Sequence, residues 1–147
     1  MLAIQKLILQ DLPAVIADVK GIDPAIQLVS HDFLAEQPVK GARAYFMHSI
    51  MHDWPDDICK QILGRLVEAM RPGYSKILIF ENLIPNTGAH WEATACDLLM
   101  MMQLSALERT EDQWRQLVEG SGLGLRIARF WSSKRPDCQT VIECELA

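Results

Sequence analysis

Apolar residues along this chain recur with two different periods. Short runs of β-branched and aliphatic residues, the mark of strands buried in a sheet, occupy residues 6–9, 26–29, 42–47, 76–80, 125–131 and 140–145. Between most of them the period lengthens to that of a helix. The clearest helix covers residues 55–70, where Ile58, Ile62, Leu66 and Met70 recur at every fourth position beside Leu63 and Val67, making one apolar stripe. Arg71-Pro72-Gly73 ends it, because proline cannot continue a helix and glycine tolerates the reversal. Asp11-Leu12-Pro13 opens a short helix, with Asp11 placed as its cap. Further helices are expected over residues 91–104 and 111–121, the latter capped by Thr110 and stopped at Gly122.

Strands alternating with helices specify an α/β fold, a mainly parallel sheet with helices on both faces. The last two strands follow each other through residues 132–137, a turn-rich link without a helix, so a terminal antiparallel hairpin is expected. Ligands of such sheets lie beyond the carboxyl ends of the strands. Asp11 follows the first strand, His31-Asp32 the second and Glu81 the fourth, while the third leads through His48 to His52-Asp53. An acid at the end of an early strand is placed to accept hydrogen bonds from ribose hydroxyls. Each also has a plainer role: Asp11 as a cap, Asp32 as a turn residue, Asp53 as the cap of the helix that follows.

His52 falls at this ligand edge. An imidazole titrates near neutrality and suits a general base for an acidic hydroxyl, provided that an acceptor orients its other nitrogen. Glu81 and Glu108 are the candidates. Met100-Met101-Met102 reads either as helix core or as an adaptable wall for a flat apolar ligand. Trp114 and Trp131 read as packing.

Composition narrows the classes. A length of 147 residues specifies one domain, and 50% hydrophobic with 22% charged residues excludes disorder. The net charge of −5, without a cluster of Lys and Arg, argues against nucleic acid as a partner. The longest apolar run, residues 98–107, contains Gln103 and Ser105 and falls short of the roughly 20 residues of a membrane span. No secretory signal is recognisable at Met1. Cys59, Cys96, Cys138 and Cys144 lack paired spacing and read as reduced thiols of a cytoplasmic protein, with no metal site.

Taken in order, Asp11-Leu12-Pro13, His31-Asp32-Phe33, His52-Asp53-Trp54-Pro55-Asp56, Glu81-Asn82-Leu83-Ile84-Pro85 and Glu108-Arg109-Thr110 form a recognisable series. The chain resembles the catalytic domain of plant and fungal S-adenosylmethionine-dependent O-methyltransferases of the caffeate and flavonoid type. That resemblance implies a Rossmann-like sheet and S-adenosylmethionine as cofactor. His52 matches the base that deprotonates the acceptor hydroxyl. Glu81 and Glu108 match the acids flanking it, Glu81 as the one that orients the imidazole. Asp11 and Leu12 match the ribose contacts, and Asp32 and Phe33 the adenine contacts. Asp53 matches a position at the reacting hydroxyl, with Met100 and Met101 in the wall of the acceptor pocket. The acceptor it implies is an aromatic or polyketide-like small molecule of secondary metabolism.

The chain departs from that pattern in two places. His48 stands where plant members carry a lysine. The family's first strand, its Gly-rich turn and its N-terminal dimerisation region have no counterpart, since a strand begins almost directly after Met1. Residues 1–147 are therefore expected to form one partial catalytic domain, whose full-length relatives are homodimers. Two functions follow: methyl transfer to a hydroxyl, or a non-catalytic remnant acting as a binding module.

Overall fold

The computed structural model describes residues 6–104, 107–132 and 139–147. In chain order its elements are β1 (Leu7–Asp11), α1 (Pro13–Asp18), β2 (Ile26–Ser30), β3 (Ala44–His48), a 3-10 turn (Met51–Asp53), α2 (Asp56–Val67), β4 (Lys76–Ile84), α3 (Trp91–Leu104), β5 (Arg109–Thr110), α4 (Glu111–Val118), β6 (Leu125–Ser132) and β7 (Gln139–Leu146). β1 pairs in parallel with β2, and a second sheet runs β3-β4-β7-β6 with β5 beside the end of β4. β3 is parallel to β4, whereas β7 is antiparallel to both β4 and β6. The α/β class and the antiparallel C-terminal strands are as the hydrophobic pattern specifies. Most of the link between those strands, with Cys138, lies outside the described residues.

The core follows from the two periods. The α2 stripe buries Cys59, Ile62, Leu63 and Leu66, and α4 adds Trp114, Leu117 and Val118. These side chains share one core cluster with Ile77 and Ile79 of β4, Leu125 and Ile127 of β6, and Ile142 and Cys144 of β7. Side chains alternate along a strand, so the face of β4 that carries Ile77 and Ile79 also carries Glu81, leaving that carboxylate only 3% exposed.

Several local expectations are corrected. Asp11 does not cap α1: it is the last residue of β1, Leu12 takes the cap position, and the Asp11 carboxylate accepts the neighbouring Leu12 N–H at 2.7 Å. Asp53 does not cap α2, because Trp54-Pro55 intervenes and Pro55 occupies the cap position without a side-chain bond. Asp56 and Asp57 in the first turn complement the helix dipole instead. α2 stops at Val67, and Ala69 and Met70 enter the core through tight bonds to the Leu66 and Val67 carbonyls. β4 continues to Ile84 because β5, too short to show a period, pairs with its last two residues. Trp131 is half-exposed and not packed inside, with the Arg129 guanidinium 4.0 Å from its ring centre. Thr110 does cap α4, in a reciprocal box with Gln113. Among the described residues no helix is long and apolar enough to cross a membrane.

The segment after β3 is held from both sides. Ser49 has a left-handed φ of 51°, which reverses the chain, and the Ile50 and Met51 N–H groups then donate to Glu81 Oε1 at 2.9 and 2.8 Å. On the carbonyl side stands Arg109, 1% exposed. Its guanidinium donates to Met51 O and Trp54 O, each at 2.9 Å, and to Asp56 Oδ1 at 2.8 Å. Removing a buried ionic partner strands its acceptors. Arg109→Met is therefore expected to lower unfolding free energy by about 3 kcal/mol in urea titrations. Arg109→Lys is expected to recover only part of it, since an ammonium lacks the planar fork. A loss below about 1 kcal/mol for Arg109→Met would remove this clamp from the account.

Candidate active site

His52 sits in the clamped turn. Its Nδ1 lies 2.9 Å from Glu108 Oε1, its Nε2 lies 3.4 Å from Asp53 Oδ1, and Glu81 Oε2 stands 3.8 Å from Nδ1. The contact that orients the ring is thus made by Glu108. Glu81, expected in that role, instead fixes the backbone on either side of Ile50. The strand period explains the division: β4 delivers Glu81 beneath the turn, whereas Glu108 approaches from the residue before β5.

The ionisation states follow from these contacts. The hydrogen bond to Glu108 raises the His52 pKa above its ordinary value, and desolvation opposes it only in part. Burial pushes Glu108 up, but the hydrogen bonds from His52, Cys96 and Asn82 outweigh it and hold the carboxyl below the usual range. Burial raises Glu81, with the His52 charge working against it. An ionised Glu108 has no proton to give, so the neutral imidazole carries its hydrogen on Nδ1. Nε2 is left with the free lone pair, beside Asp53.

The remaining candidates lie at the carboxyl ends of β1 and β2 and in α3. Asp11 and Leu12 close β1, and His31 N–H donates to Asp11 O at 2.8 Å, tying together the ends of β1 and β2. Asp32 is exposed and accepts the Leu34 N–H at 2.9 Å. Phe33 meets the Trp54 ring edge-on at 5.8 Å, linking the loop after β2 to the His52 turn. Met100 is half-buried in α3 and Met101 is 59% exposed. His48 stacks on Phe80 at 4.7 Å and lines a cleft of about 40 Å³ with Ser49, Glu81, Asn82 and Gln139. That is well below the roughly 300 Å³ at which small-molecule pockets begin.

Sequence reasoning missed four contributors. Asn82 Nδ2 and Cys96 Sγ both donate to Glu108 Oε1, at 3.1 Å each, and Asp97 Oδ1 accepts the Glu108 N–H at 2.8 Å. Arg109 is the fourth. Their partners are backbone groups, or a residue distant in sequence, so no local pattern marks them. Asp56, four residues after His52 in an already acidic helix start, was the one available signal for Arg109.

Could the site hold a cation or a nucleoside? Nδ1 of His52 and one oxygen each of Glu81 and Glu108 lie within 4.8 Å of one another. His52 and Glu108 are hydrogen-bonded to each other at 2.9 Å, and Glu81 Oε2 stands 3.8 Å from the same ring nitrogen without a hydrogen bond. For a nucleoside cofactor the strand-end residues are chemically apt. Asp11 and Asp32 offer exposed carboxylates to hydroxyl and amino groups, and Leu12 and Phe33 offer apolar surface beside them.

The family model described as O-methyltransferase domain matches residues 3–124. The O-methyltransferase asqD of Emericella nidulans is 44% identical over 139 residues, covering 94% of this chain and 35% of that protein. Demethylsterigmatocystin 6-O-methyltransferase stcP of the same fungus is 39% identical, covering 93% of this chain and 66% of that protein. The crystal structure of OxaC in complex with SAH and oxaline superposes with a TM-score of 0.82 at 33% identity, over 95% of this chain and 35% of that one. The chain thus spans about a third of the length of asqD. With a family match over most of its length and the same fold as a solved relative, the chain belongs to the O-methyltransferase domain family.

Proposed function

We propose that this chain is a partial catalytic domain, spanning residues 1–147, of an S-adenosylmethionine-dependent O-methyltransferase of the caffeate and flavonoid type. His52 is its general base. The acceptor is a hydroxyl of an aromatic or polyketide-like metabolite. The observation that carries this reading is the buried Glu108–His52 pair, which leaves Nε2 unprotonated at the carboxyl edge of the sheet. The named substrates and bound molecules of stcP and OxaC support the acceptor class and the cofactor.

Asp11 and Leu12 would hold the ribose of the cofactor, and Asp32 and Phe33 its adenine. When bound, S-adenosylmethionine supplies an electrophilic methyl group. His52 Nε2 takes the proton of the acceptor hydroxyl, and the positive charge that develops on the ring is stabilised by Glu108 at Nδ1 and by Glu81 nearby. Asp53, 3.4 Å from Nε2, would accept a hydrogen bond at the reacting hydroxyl. Met100 and Met101 would contribute apolar wall on the acceptor side. Holding nucleophile and methyl group in line does the rest.

A second reading is a non-catalytic remnant that binds a partner subunit or nothing, in keeping with the small cleft, about 40 Å³, beside Glu81. Calorimetry with S-adenosylhomocysteine separates the two, since micromolar binding supports the enzyme and the absence of heat supports the remnant. For the mechanism, the assay is transfer of labelled methyl groups to a panel of phenols. The rate is expected to rise with pH through a midpoint above the ordinary histidine value of 6.5, because Glu108 holds the imidazole proton and the free base accumulates only above that value. His52→Ala is expected to lower the rate by about 10²–10⁴-fold. Transfer unchanged in His52→Ala would refute the base.

A further inference from the structure

Glu108 Oε1 serves three donors at once: His52 Nδ1 at 2.9 Å, Asn82 Nδ2 at 3.1 Å and Cys96 Sγ at 3.1 Å. Glu108 Oε2, equally buried, has no partner among the described residues. The negative charge of this carboxylate is therefore drawn to one oxygen, and the imidazole competes there with an amide and a thiol. Donors that share an acceptor weaken one another's hold on it, and in a buried site little water is present to level the difference. Cys96 is placed for this by α3, whose next residue, Asp97, accepts the Glu108 N–H and fixes the helix against the segment before β5.

We propose that Cys96 is a positioning residue for the base, its thiol sharing Glu108 Oε1 with the His52 imidazole and so limiting how tightly that carboxylate holds the imidazole proton. This rests on the reading of His52 as the base for its effect on turnover, but not for its effect on the imidazole. A thiol can play the part only while protonated. Burial, reinforced by the hydrogen bond to Glu108, pushes the Cys96 thiol up to about 11, so it remains a donor across the range in which an imidazole titrates. The same shift makes it a poor nucleophile, in keeping with a thiol used for its hydrogen. The other ionisable groups facing the ring are Glu81 from β4 and Asp53 from the ring's own turn, while Asp97 of α3 is bonded to the Glu108 N–H and Arg109 to Asp56 and the Met51 and Trp54 carbonyls.

The test is an NMR titration of the His52 ring in the full chain, comparing the native protein with Cys96→Ala, Cys96→Val and Cys96→Ser. Ala and Val remove the donor, and Val keeps the volume filled should Ala disturb packing. Both are expected to raise the titration midpoint by about 0.5 pH, roughly a threefold change in proton affinity, as loss of a weak hydrogen bond predicts. Ser, which retains a donor, is expected to stay close to the native midpoint. An unchanged midpoint in Ala and Val, or a shift in Ser as large as theirs, would overturn the proposal. In an active preparation the pH–rate midpoint is expected to follow the imidazole. An imidazole that moves while the rate profile does not would leave Cys96 in its role and contradict His52 as the base.

Discussion

The turn that carries His52 hangs between two buried charges of opposite sign. Glu81 accepts its amide hydrogens and Arg109 donates to its carbonyls. Neither charge faces solvent, and each is matched to backbone groups that a turn of this kind would otherwise leave unpaired. Because both partners are main-chain atoms, the clamp fixes the path of the chain and does not depend on which side chains the turn displays. His52 is free to be chosen for its chemistry. Glu108, the residue next to Arg109, then meets the ring, so one dipeptide supplies both one arm of the clamp and the orienting acceptor.

How much of this could be read from the chain depends on whether the partner is a pattern or an atom. The α2 stripe, the alternation that buries Glu81 with Ile77 and Ile79, and the Thr110 cap are all periodic or local, and they stand where the residues place them. His52 and Glu81 were legible as neighbours of one sheet edge because ligands of such sheets lie beyond the strand ends, whereas Glu108 was a candidate acceptor whose place in the set came from the family resemblance. The division of labour between the two acids was not, since it turns on a difference of about 1 Å between 2.9 and 3.8 Å at Nδ1. Arg109 was hard to see because two of its acceptors are carbonyls, which every residue has, and the third, Asp56, is one acid among several at the start of α2. Cys96 read as one more apolar position in a helix whose other residues, Leu98, Leu99 and Met101, are largely exposed. Asp53 read as a cap because acids before a helix commonly are, and the intervening Pro55 displaced it.

The sheet gives the site its edges. β1 and β2 form a parallel pair separate from the strands that carry His48 and Glu81, and the loop after β2 reaches the other part through the contact of Phe33 with Trp54 and the bond from Arg65 to Leu34 O. The residues proposed for the nucleoside and those proposed for the proton thus lie on two sheet fragments. The chain covers about a third of the length of asqD. The acid–base centre depends little on that division, since every group that touches His52 comes from the β3–β5 part of the chain.

The base proposed for His52 requires that Glu108 hold the hydrogen of the neutral imidazole on Nδ1 and leave Nε2 free. Nitrogen-15 NMR of the His52 ring, recorded above its titration midpoint, reads the tautomer directly. A protonated Nδ1 coupled to a downfield, exchange-protected proton is expected, with Nε2 showing the shift of an unprotonated ring nitrogen. A ring protonated at Nε2, or an even mixture of the two forms as in a free histidine, would contradict it.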